Sequence, residues 1–439
     1  METTQILSPE WLVPVIPRGL VLEKHSLVLQ AERIEAVIPR DEAIRRYPDA
    51  KETSLDNQLM VPGFINTHGH AAMTLLRGLV EDRHMMDWLT NWVWPIEGEL
   101  VDEQFVYDGN RLAILEMIQS GTTCASDLYF FPEMTARAVT EMNFRAQITL
   151  PVLQFENSWA KNEDDHIHKG LAFRDSVKHN DLITTAFAPH APYSVSDQGF
   201  EKIGLYAEQL DLPIHLHLHE TAQECEDSIS DHGVRPIGRM QSLGILSARL
   251  QAVHMTQLRE DEIDLLAQHG VQIAHCPESN MKLASGICPV EDLRAAGLNV
   301  ALGTDGAASN NDLDIIQEAR TAAMLAKAVS GDATSLTVFD TLEMMTLSGA
   351  RFLGLEGSIG SLEPGKLADI TCIDLSAMAL QPVYNPVSQL IYAATGREVS
   401  NVWIHGRQVL RDREALDMDT SGIRAATLQW RDHIQRTLS

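Results

Sequence analysis

Two patterns of hydrophobic positions divide the chain. Residues 1–58 contain short apolar runs separated by turns, for example 11–16 and 26–30, which is typical of strands in a small β domain. From residue 59 onward, nearly continuous apolar runs alternate with stretches of helical periodicity. The pattern therefore predicts a β-rich beginning followed by a long α/β region.

The α/β region contains eight strand-like apolar runs with helical patterns between them. Strands that are buried on both faces in a parallel sheet are apolar along their whole length. Eight such units over about 250 residues predict an α/β fold of the (β/α)8 TIM barrel type. The eight runs are 59–70, 122–129, 145–153, 183–190, 213–220, 250–256, 271–280 and 299–306.

The pattern changes again after the barrel. Residues 368–374 and 402–410 are each predicted to form a strand, and 423–437 a helix. We expect these strands to join the N-terminal ones in a small β-sandwich. The two predicted domains are a small β-sandwich domain with a C-terminal helix (1–58 plus 368–439) and a metal-dependent hydrolase barrel (59–367).

Charge excludes some classes of partner. The formal net charge is −27 and no basic patch is visible, so neither nucleic acid nor an anionic membrane is an expected partner. No apolar run approaches the roughly 18 to 20 residues of a membrane span. Barrels of this kind commonly form symmetric oligomers, and we expect a dimer or a tetramer.

The cysteines and the N-terminal residues give an expectation for the cellular location of the protein. None of the five cysteines forms a CxxC pair, which favours reduced thiols and a cytoplasmic location. The N-terminus lacks a basic segment followed by an apolar core, so no signal peptide is expected.

Metal-capable side chains occur where the predicted strands end, which is where barrel active sites lie. The first run ends in His68-Gly69-His70, and residues two apart in a strand point to the same side. By itself an HxH sequence is a weak motif. The fifth run carries His215, His217 and His219 on one face, and at least one of them is expected to be a hydrogen-bonded core residue.

Two further strand ends extend this set. The sixth run supplies His254 and the eighth supplies Asp305, although a lone carboxylate after a strand can also be a helix cap. Histidine and carboxylate ligands suit a zinc ion that keeps one position open for water. Catalysis then needs a second group that moves protons, for which Glu220 and His254 are candidates.

Four ordered motifs resemble those of the amidohydrolase superfamily. They are Pro-Gly-Phe-Ile-Asn-Thr-His-Gly-His at 62–70, HxxE at 217–220, His254 and Thr-Asp-Gly at 304–306. The resemblance runs from about residue 8 to residue 412. Within the superfamily, local segments resemble the 5-methylthioadenosine/S-adenosylhomocysteine deaminases, and these segments are 94–97, 189–193, 217–220 and 279–286.

The resemblance implies roles for individual residues. It implies that one zinc ion is held by His68, His70, His217 and Asp305, with iron or manganese able to take a similar site. It implies that Glu220 protonates the ring nitrogen of the substrate. It also implies that His254, together with Asp305, orients and deprotonates the attacking water.

Substrate contacts are implied in the same way. Glu97 is expected to bind the ribose hydroxyls and His190 to contact the nucleoside, against the alternatives of a solvated helix residue and a structural histidine. Trp88 and Trp92 are candidates for the pocket wall, with core packing as an equal alternative. Leu150 stands where family members of broader specificity carry an arginine, which favours an apolar 5′ substituent.

The expected activity is zinc-dependent deamination of 5′-methylthioadenosine at adenine C6, with S-adenosylhomocysteine, 5′-deoxyadenosine and adenosine as related substrates. The strand-4 run ends at His190 without the lysine that bridges two metals in some amidohydrolases, so one metal is expected. Two alternatives stay open: a hydrolase of another aminated ring (guanine, an oxidised purine, a pterin or an s-triazine), and a non-catalytic barrel scaffold.

Overall fold

A computed structural model describes residues 4–438, which form 17 strands. In chain order they are β1 (Thr4–Leu12), β2 (Leu22–Glu23), β3 (His25–Gln30), β4 (Arg33–Pro39), β5 (Lys51–Pro62), β6 (Phe64–Gly69), β7 (Thr122–Asp127), β8 (Arg145–Val152), β9 (Ile183–Pro189), β10 (Ile214–Leu218), β11 (Leu250–His254), β12 (Gln272–His275), β13 (Val300–Leu302), β14 (Ile370–Asp374), β15 (Val399–Ile404), β16 (Arg407–Arg411) and β17 (Glu414–Ala415).

The described residues also form 17 α-helices, with 3-10 turns at Ala71–Leu76, Met378–Leu380 and Gly396–Glu398 and a π turn at Leu89–Val93. The helices are α1 (Arg40–Arg46), α2 (Met85–Trp88), α3 (Trp94–Leu100), α4 (Glu103–Gln119), α5 (Pro132–Glu141), α6 (Glu163–Val177), α7 (Asp197–Leu210), α8 (Ala222–His232), α9 (Pro236–Ser242), α10 (Glu260–His269), α11 (Pro277–Lys282), α12 (Val290–Ala295), α13 (Ile315–Ser330), α14 (Val338–Met345), α15 (Leu347–Phe352), α16 (Pro386–Tyr392) and α17 (Thr420–Thr437).

Strands β6 to β13 form one eight-stranded parallel sheet whose spatial order follows the chain order. The sheet closes between its first and last strands. Thr67 Oγ1 donates to Leu302 O at 2.8 Å, and the Asp305 amide donates to His68 O at 3.0 Å. The predicted barrel is therefore confirmed, because each predicted run contains one of these strands.

The terminal segments form a second, nine-stranded mixed sheet. C-terminal β14 pairs with N-terminal β5, so the strands from the two ends of the chain join in one β unit, as predicted. The amide of Ile34 donates to Lys366 O at 2.8 Å, which curls the β4 end back toward the residues before β14. A buried apolar cluster that includes Leu29, Met60 and Trp403 lies within this curl.

One predicted strand of this unit is wrong. Residues 402–410 were expected to be continuous, but the chain reverses between β15 and β16, which pair as an antiparallel hairpin. His405 and Gly406 have φ values of +52° and +72°, a left-handed turn that an apolar pattern does not reveal. The predicted C-terminal helix is confirmed as α17. The predicted domain boundaries at 58/59 and 367/368 stay a prediction, and residues 1–3 and 439 lie outside the described residues.

Two junctions hold the terminal sheet to the barrel. β5 runs into β6 through Gly63, where a Cβ atom would lie 2.1 Å from Thr123 Oγ1, so only glycine fits. At the start of β8, Arg145 binds Asp369 with both side chains buried, through Nε to Oδ2 at 2.8 Å and Nη2 to Oδ1 at 3.2 Å. Because this ion pair is buried, removing either side chain would leave the other charge without its partner inside the protein.

Helix α17 lies against the barrel on the side of the site. Trp430 Nε1 donates to Asp108 Oδ2 of α4 at 3.0 Å, and Ile434 belongs to an apolar cluster with Met73 and Phe105. The helix thus braces the 3-10 turn that directly follows His70. Within residues 4–438, no helix is long and apolar enough to cross a membrane.

We expect Asp369→Ala to lower the free energy of unfolding by about 3–5 kcal/mol, because it leaves the buried Arg145 without the carboxylate that balances its charge. Denaturant unfolding measures this change. Asp164→Ala is the control, since its ion pair with Lys202 at 2.6 Å is exposed and such pairs contribute under about 1 kcal/mol. Equal shifts in the two variants would contradict the prediction.

Candidate active site

A cavity opens at the carboxyl ends of the barrel strands. His70, His217, Glu220, His254 and Asp305 all line it, so the structure brings most of the predicted site residues together. His68 lies directly beneath them and is fully buried. This is the end of the barrel at which the parallel strands deliver successive side chains to one place.

The ring of His70 has one defined orientation. Its Nδ1 lies 2.6 Å from the carbonyl oxygen of Leu128, which can only accept, so Nδ1 carries the hydrogen. Its Nε2 faces Asp305 Oδ1 at 3.2 Å, where it donates to the carboxylate when protonated and offers a lone pair to a metal ion when neutral. Burial alone would lower the pKa of His70, but the bond with Asp305 raises it to about 9. Asp305 therefore strongly favours positive charge at this point.

His217 is oriented by the same device. Its Nδ1 lies 2.7 Å from the carbonyl oxygen of His190 and donates to it. The opposite nitrogen, Nε2, lies 3.1 Å from Nε2 of His68. Burial lowers the pKa of His68 to about 4 and that of His217 well below its usual value, so both rings are neutral.

Asp305 completes the cluster from the end of β13. Its Oδ1 lies 3.3 Å from His68 Nε2, while its Oδ2 accepts hydrogen bonds from Ser279 at 2.6 Å and Ser309 at 2.8 Å. Burial alone would raise its pKa, but the facing rings of His68 and His70 hold the pKa well below the usual range. Asp305 is thus an ionised carboxylate with one oxygen directed at the histidines.

This donor set fits a metal ion. His68, His70 and Asp305 form one group, and His68, His217 and His254 another, whose ligand atoms lie within 4.8 Å of one another. Uncharged Nε2 lone pairs that face each other at 3.1 Å repel unless a cation lies near both. Histidine nitrogens with one carboxylate oxygen are donors that zinc accepts.

Glu220 lies beside the cluster and is buried. Burial, followed by the charge of Asp305, raises its pKa to about 8, so the carboxyl group holds a proton at neutral pH. Its main chain is held by Glu224, which accepts the amide of Glu220 at 2.7 Å and that of His219 at 3.0 Å. The proton-bearing group is therefore firmly placed above β10.

His254 ends β11 with an unusual backbone, at φ +75°. Its Nε2 lies 3.7 Å from Glu220 Oε2, and its Nδ1 lies 3.0 Å from the side-chain amide of Asn280. Buried Asn280 Oδ1 has no hydrogen-bond partner among the described residues. Turning that amide over would place the oxygen on His254 Nδ1, which would then carry the hydrogen and leave Nε2 free to accept a proton.

The predicted substrate-binding residues line the same cavity. Glu97 comes from α3, and Tyr129 donates to its Oε1 at 2.6 Å. His190 follows β9, with Nδ1 at 3.1 Å from Ser194 Oγ. Trp88 lines the cavity and also packs in the apolar cluster beneath it, so it belongs both to the pocket wall and to the core. Trp92 is absent from the described lining, where Trp94 stands instead.

Leu150 is not part of the cavity. Its side chain lies against α6, so close that a Cβ atom on Gly170 would be 3.0 Å from Leu150 Cβ. Side chains alternate along a strand, and in β8 Gln147 points into the barrel, where it accepts a hydrogen bond from Ser126, while Leu150 points out. Leu150 therefore does not line the space for the substrate, and it was wrong to use this residue as the evidence for an apolar 5′ substituent. Leu153 and Phe155, just beyond the strand, line the cavity instead.

Comparisons with known proteins agree on one family. The model of the amidohydrolase family matches residues 59–409. A 5-methylthioadenosine/S-adenosylhomocysteine deaminase of Teredinibacter turnerae is 46% identical over 428 residues, covering 98% of this chain and 97% of the relative.

The chain belongs to the amidohydrolase family.

Solved structures extend this similarity. The crystal structure of an adenosine deaminase from Xanthomonas campestris with bound zinc superposes with a TM-score of 0.97 at 46% identity, covering 99% of both chains. An atrazine chlorohydrolase from Arthrobacter aurescens complexed with zinc has a TM-score of 0.91 at 22% identity, covering 97% of this chain and 99% of that one, and shares the fold. The predicted family, and with it the prediction of a hydrolytic enzyme, is confirmed.

Sequence reasoning missed several residues that shape the site of this amidohydrolase. Ser279 and Ser309 bind the second oxygen of Asp305, Tyr129 binds Glu97, and Glu224 holds the backbone of Glu220. Only Glu224 had a local signal. Thr221 and Glu224 have the spacing of a helix capping box, which predicts a carboxylate turned back onto preceding amides.

We expect zinc to stabilise the wild-type amidohydrolase and not His217→Ala. At a zinc concentration about 1,000 times Kd, binding adds about 4 kcal/mol to the free energy of unfolding. Thermal unfolding with and without added zinc measures the difference, and chelation should reverse it. His179→Ala, at an exposed position, is the control and should keep the full response. A zinc response that survives in His217→Ala would exclude His217 as a ligand.

Proposed function

We propose that this amidohydrolase binds one zinc ion through His68, His70, His217 and Asp305 and deaminates 5′-methylthioadenosine or a close 5′-modified adenosine. Water replaces the amino group at adenine C6, and ammonia leaves. The observation that carries the proposal is the proton-bearing carboxyl of Glu220 beside this cluster in one cavity. The names of the Teredinibacter and Xanthomonas relatives support the choice of a nucleoside.

A zinc ion held by His68, His70, His217 and Asp305 would lower the pKa of water to about 7 and would so supply the nucleophile at neutral pH. Iron or manganese can use the same donors, because geometry and availability decide which metal is bound. Asp305 is ionised and faces the same space with Oδ1, so it can orient the water by accepting a hydrogen bond.

Glu220 supplies the proton that the ring needs. Attack at C6 places negative charge on N1, and the protonated carboxyl of Glu220 can donate to that atom. His254 Nε2, at 3.7 Å from Glu220 Oε2, takes the proton released by the water when Asn280 presents its oxygen to Nδ1. His254 then gives this proton to the amino group, which leaves as ammonia while the C6 hydroxyl becomes a carbonyl and returns its proton to Glu220.

The cavity walls fit the rest of a nucleoside. Glu97 can accept hydrogen bonds from the two ribose hydroxyls, with Tyr129 fixing the orientation of its carboxylate. His190 and Trp88 line the same cavity, where His190 can contact the nucleoside and Trp88 can pack against it.

The lining also bears on the 5′ substituent. Met85, Leu89, Leu153 and Phe155 contribute apolar side chains to the lining of the cavity, and Glu156 also lines it. Among the described lining residues there is no lysine or arginine. A methylthio group therefore suits the cavity better than the zwitterionic tail of S-adenosylhomocysteine, whose carboxylate would find no cationic partner.

We extend the proposal to setting and partners. All five cysteines are free and buried, which supports a reducing, cytoplasmic setting. The acidic net charge supports a small-molecule substrate over nucleic acid or an anionic membrane. A dimer or tetramer stays a prediction.

We expect Glu220→Gln to keep zinc and lose most of its turnover. The amide has the size of the carboxyl group but cannot transfer a proton to N1, and loss of such a group lowers kcat by about 10²- to 10⁴-fold. Zinc content per chain and ammonia release measure the two properties. Glu156→Gln, in the same cavity, is the control for a changed charge. Near-normal turnover in Glu220→Gln would contradict the proton-donor assignment.

We expect ammonia release to be faster with 5′-methylthioadenosine than with S-adenosylhomocysteine, and faster with either than with adenine or guanine. Free bases have no ribose for Glu97, whose hydrogen bonds as a charged acceptor are each worth about 1.5–3 kcal/mol. Glu97→Gln should therefore lower kcat/KM for the nucleosides and not for adenine. Preferred turnover of guanine, an oxidised purine, a pterin or an s-triazine would replace the proposed substrate.

A further inference from the structure

A row of buried hydrogen bonds runs from the metal cluster into the body of the barrel. His68 Nδ1 lies 2.8 Å from His215 Nε2, and His215 Nδ1 lies 3.2 Å from Gln251 Oε1. The row ends where Gln251 Nε2 donates to the main-chain oxygen of Phe352 at 2.6 Å. All of these side chains are at most 1% exposed.

The last member sets the direction of every bond in the row. A main-chain oxygen only accepts, so Gln251 must present its NH2 group to Phe352 and its oxygen to His215. His215 Nδ1 therefore carries the hydrogen, and its Nε2 is an acceptor. His68 in turn donates from Nδ1, which leaves its Nε2 as a lone pair that faces His217 and Asp305.

We propose that His215 and Gln251 are positioning residues that hold His68 in the tautomer required to bind the metal. The inference rests on the proposed function, because it takes His68 as a ligand. The proposal gives a role to His215, which lies on the same face of β10 as His217 and would otherwise be regarded as a buried core residue.

His68 lies deeper in the barrel than His70 and His217, which explains why its Nδ1 hydrogen bonds to a side chain and not to a main-chain oxygen. His70 and His217 donate to Leu128 and His190, whose oxygens lie just beyond the ends of β7 and β9. His68 lies within β6, where neighbouring main-chain oxygens belong to the strand ladder. An acceptor at that depth must come from a side chain, and β10 supplies it through His215.

The experiment compares zinc affinities of the purified full-length chain by competition with a chelator. His215→Leu removes the acceptor, and we expect affinity to fall about 10- to 100-fold. His215→Gln places an amide oxygen near the former Nε2, and we expect it to retain most of the wild-type affinity. Gln251→Leu leaves His215 free to take the other tautomer, and we expect a smaller loss in the same direction.

A matched control separates positioning from packing. His166 is also a fully buried histidine with both ring nitrogens bonded, to Pro151 O at 2.8 Å and Asn157 Nδ2 at 2.9 Å, away from the cluster. We expect His166→Leu to lower thermal stability and leave zinc affinity unchanged. A merely structural role for His215 would give the same result in His215→Leu.

Each outcome decides the inference. Wild-type zinc affinity in His215→Leu, or a His215→Gln variant as weak as His215→Leu, would overturn it. Should His215→Leu not fold, unchanged affinity in Gln251→Leu would overturn it, and weakened affinity there would support it. A wild-type chain that binds no zinc, or binds it equally after loss of His68, would instead overturn the proposed function.

Discussion

The site depends on bringing uncharged imidazole lone pairs close together inside the protein. Nε2 of His217 and Nε2 of His68 face each other at 3.1 Å, with the carboxylate of Asp305 3.3 Å from His68 Nε2. Such an arrangement is unfavourable without a cation, so each ring must be held against rotation or proton transfer that would relieve it. The surrounding fold supplies that restraint with an acceptor behind each of His68, His70 and His217.

The barrel can hold these rings because the carboxyl ends of its strands lie close together around one space. Parallel strands end at one rim, and the loop immediately after a strand exposes carbonyl oxygens that can accept from a neighbouring ring. His70 and His217 use such oxygens, and the deeper His68 uses a side chain. His254 and Asp305, at two of these strand ends, have positive φ angles of 75° and 62°.

The carboxyl groups of Asp305 and Glu220 have different protonation states because their surroundings differ, and they therefore suit different chemical roles. Asp305 is ionised because His68 and His70 face it, whereas Glu220 keeps its proton because it is buried near the negative charge of Asp305. One is suited to hold a cation and orient water, and the other to give a proton. The terminal sheet and α17 lie behind this arrangement and brace the strands and the turn after His70.

The sequence by itself determined the barrel, the family and the set of metal-capable residues, because parallel strands leave a repeated apolar pattern and the ligands follow strand ends. It also predicted that the chain termini would share one β unit. Only the tertiary structure decided which way Leu150 points, since one residue of register reverses its face, and that 402–410 turns back at His405 and Gly406. It alone showed Tyr129, Ser279 and Ser309 beside the reacting groups and linked His215 to His68. These contacts join residues that are far apart in the chain, and a local sequence pattern cannot show which distant residues lie close together in the folded protein.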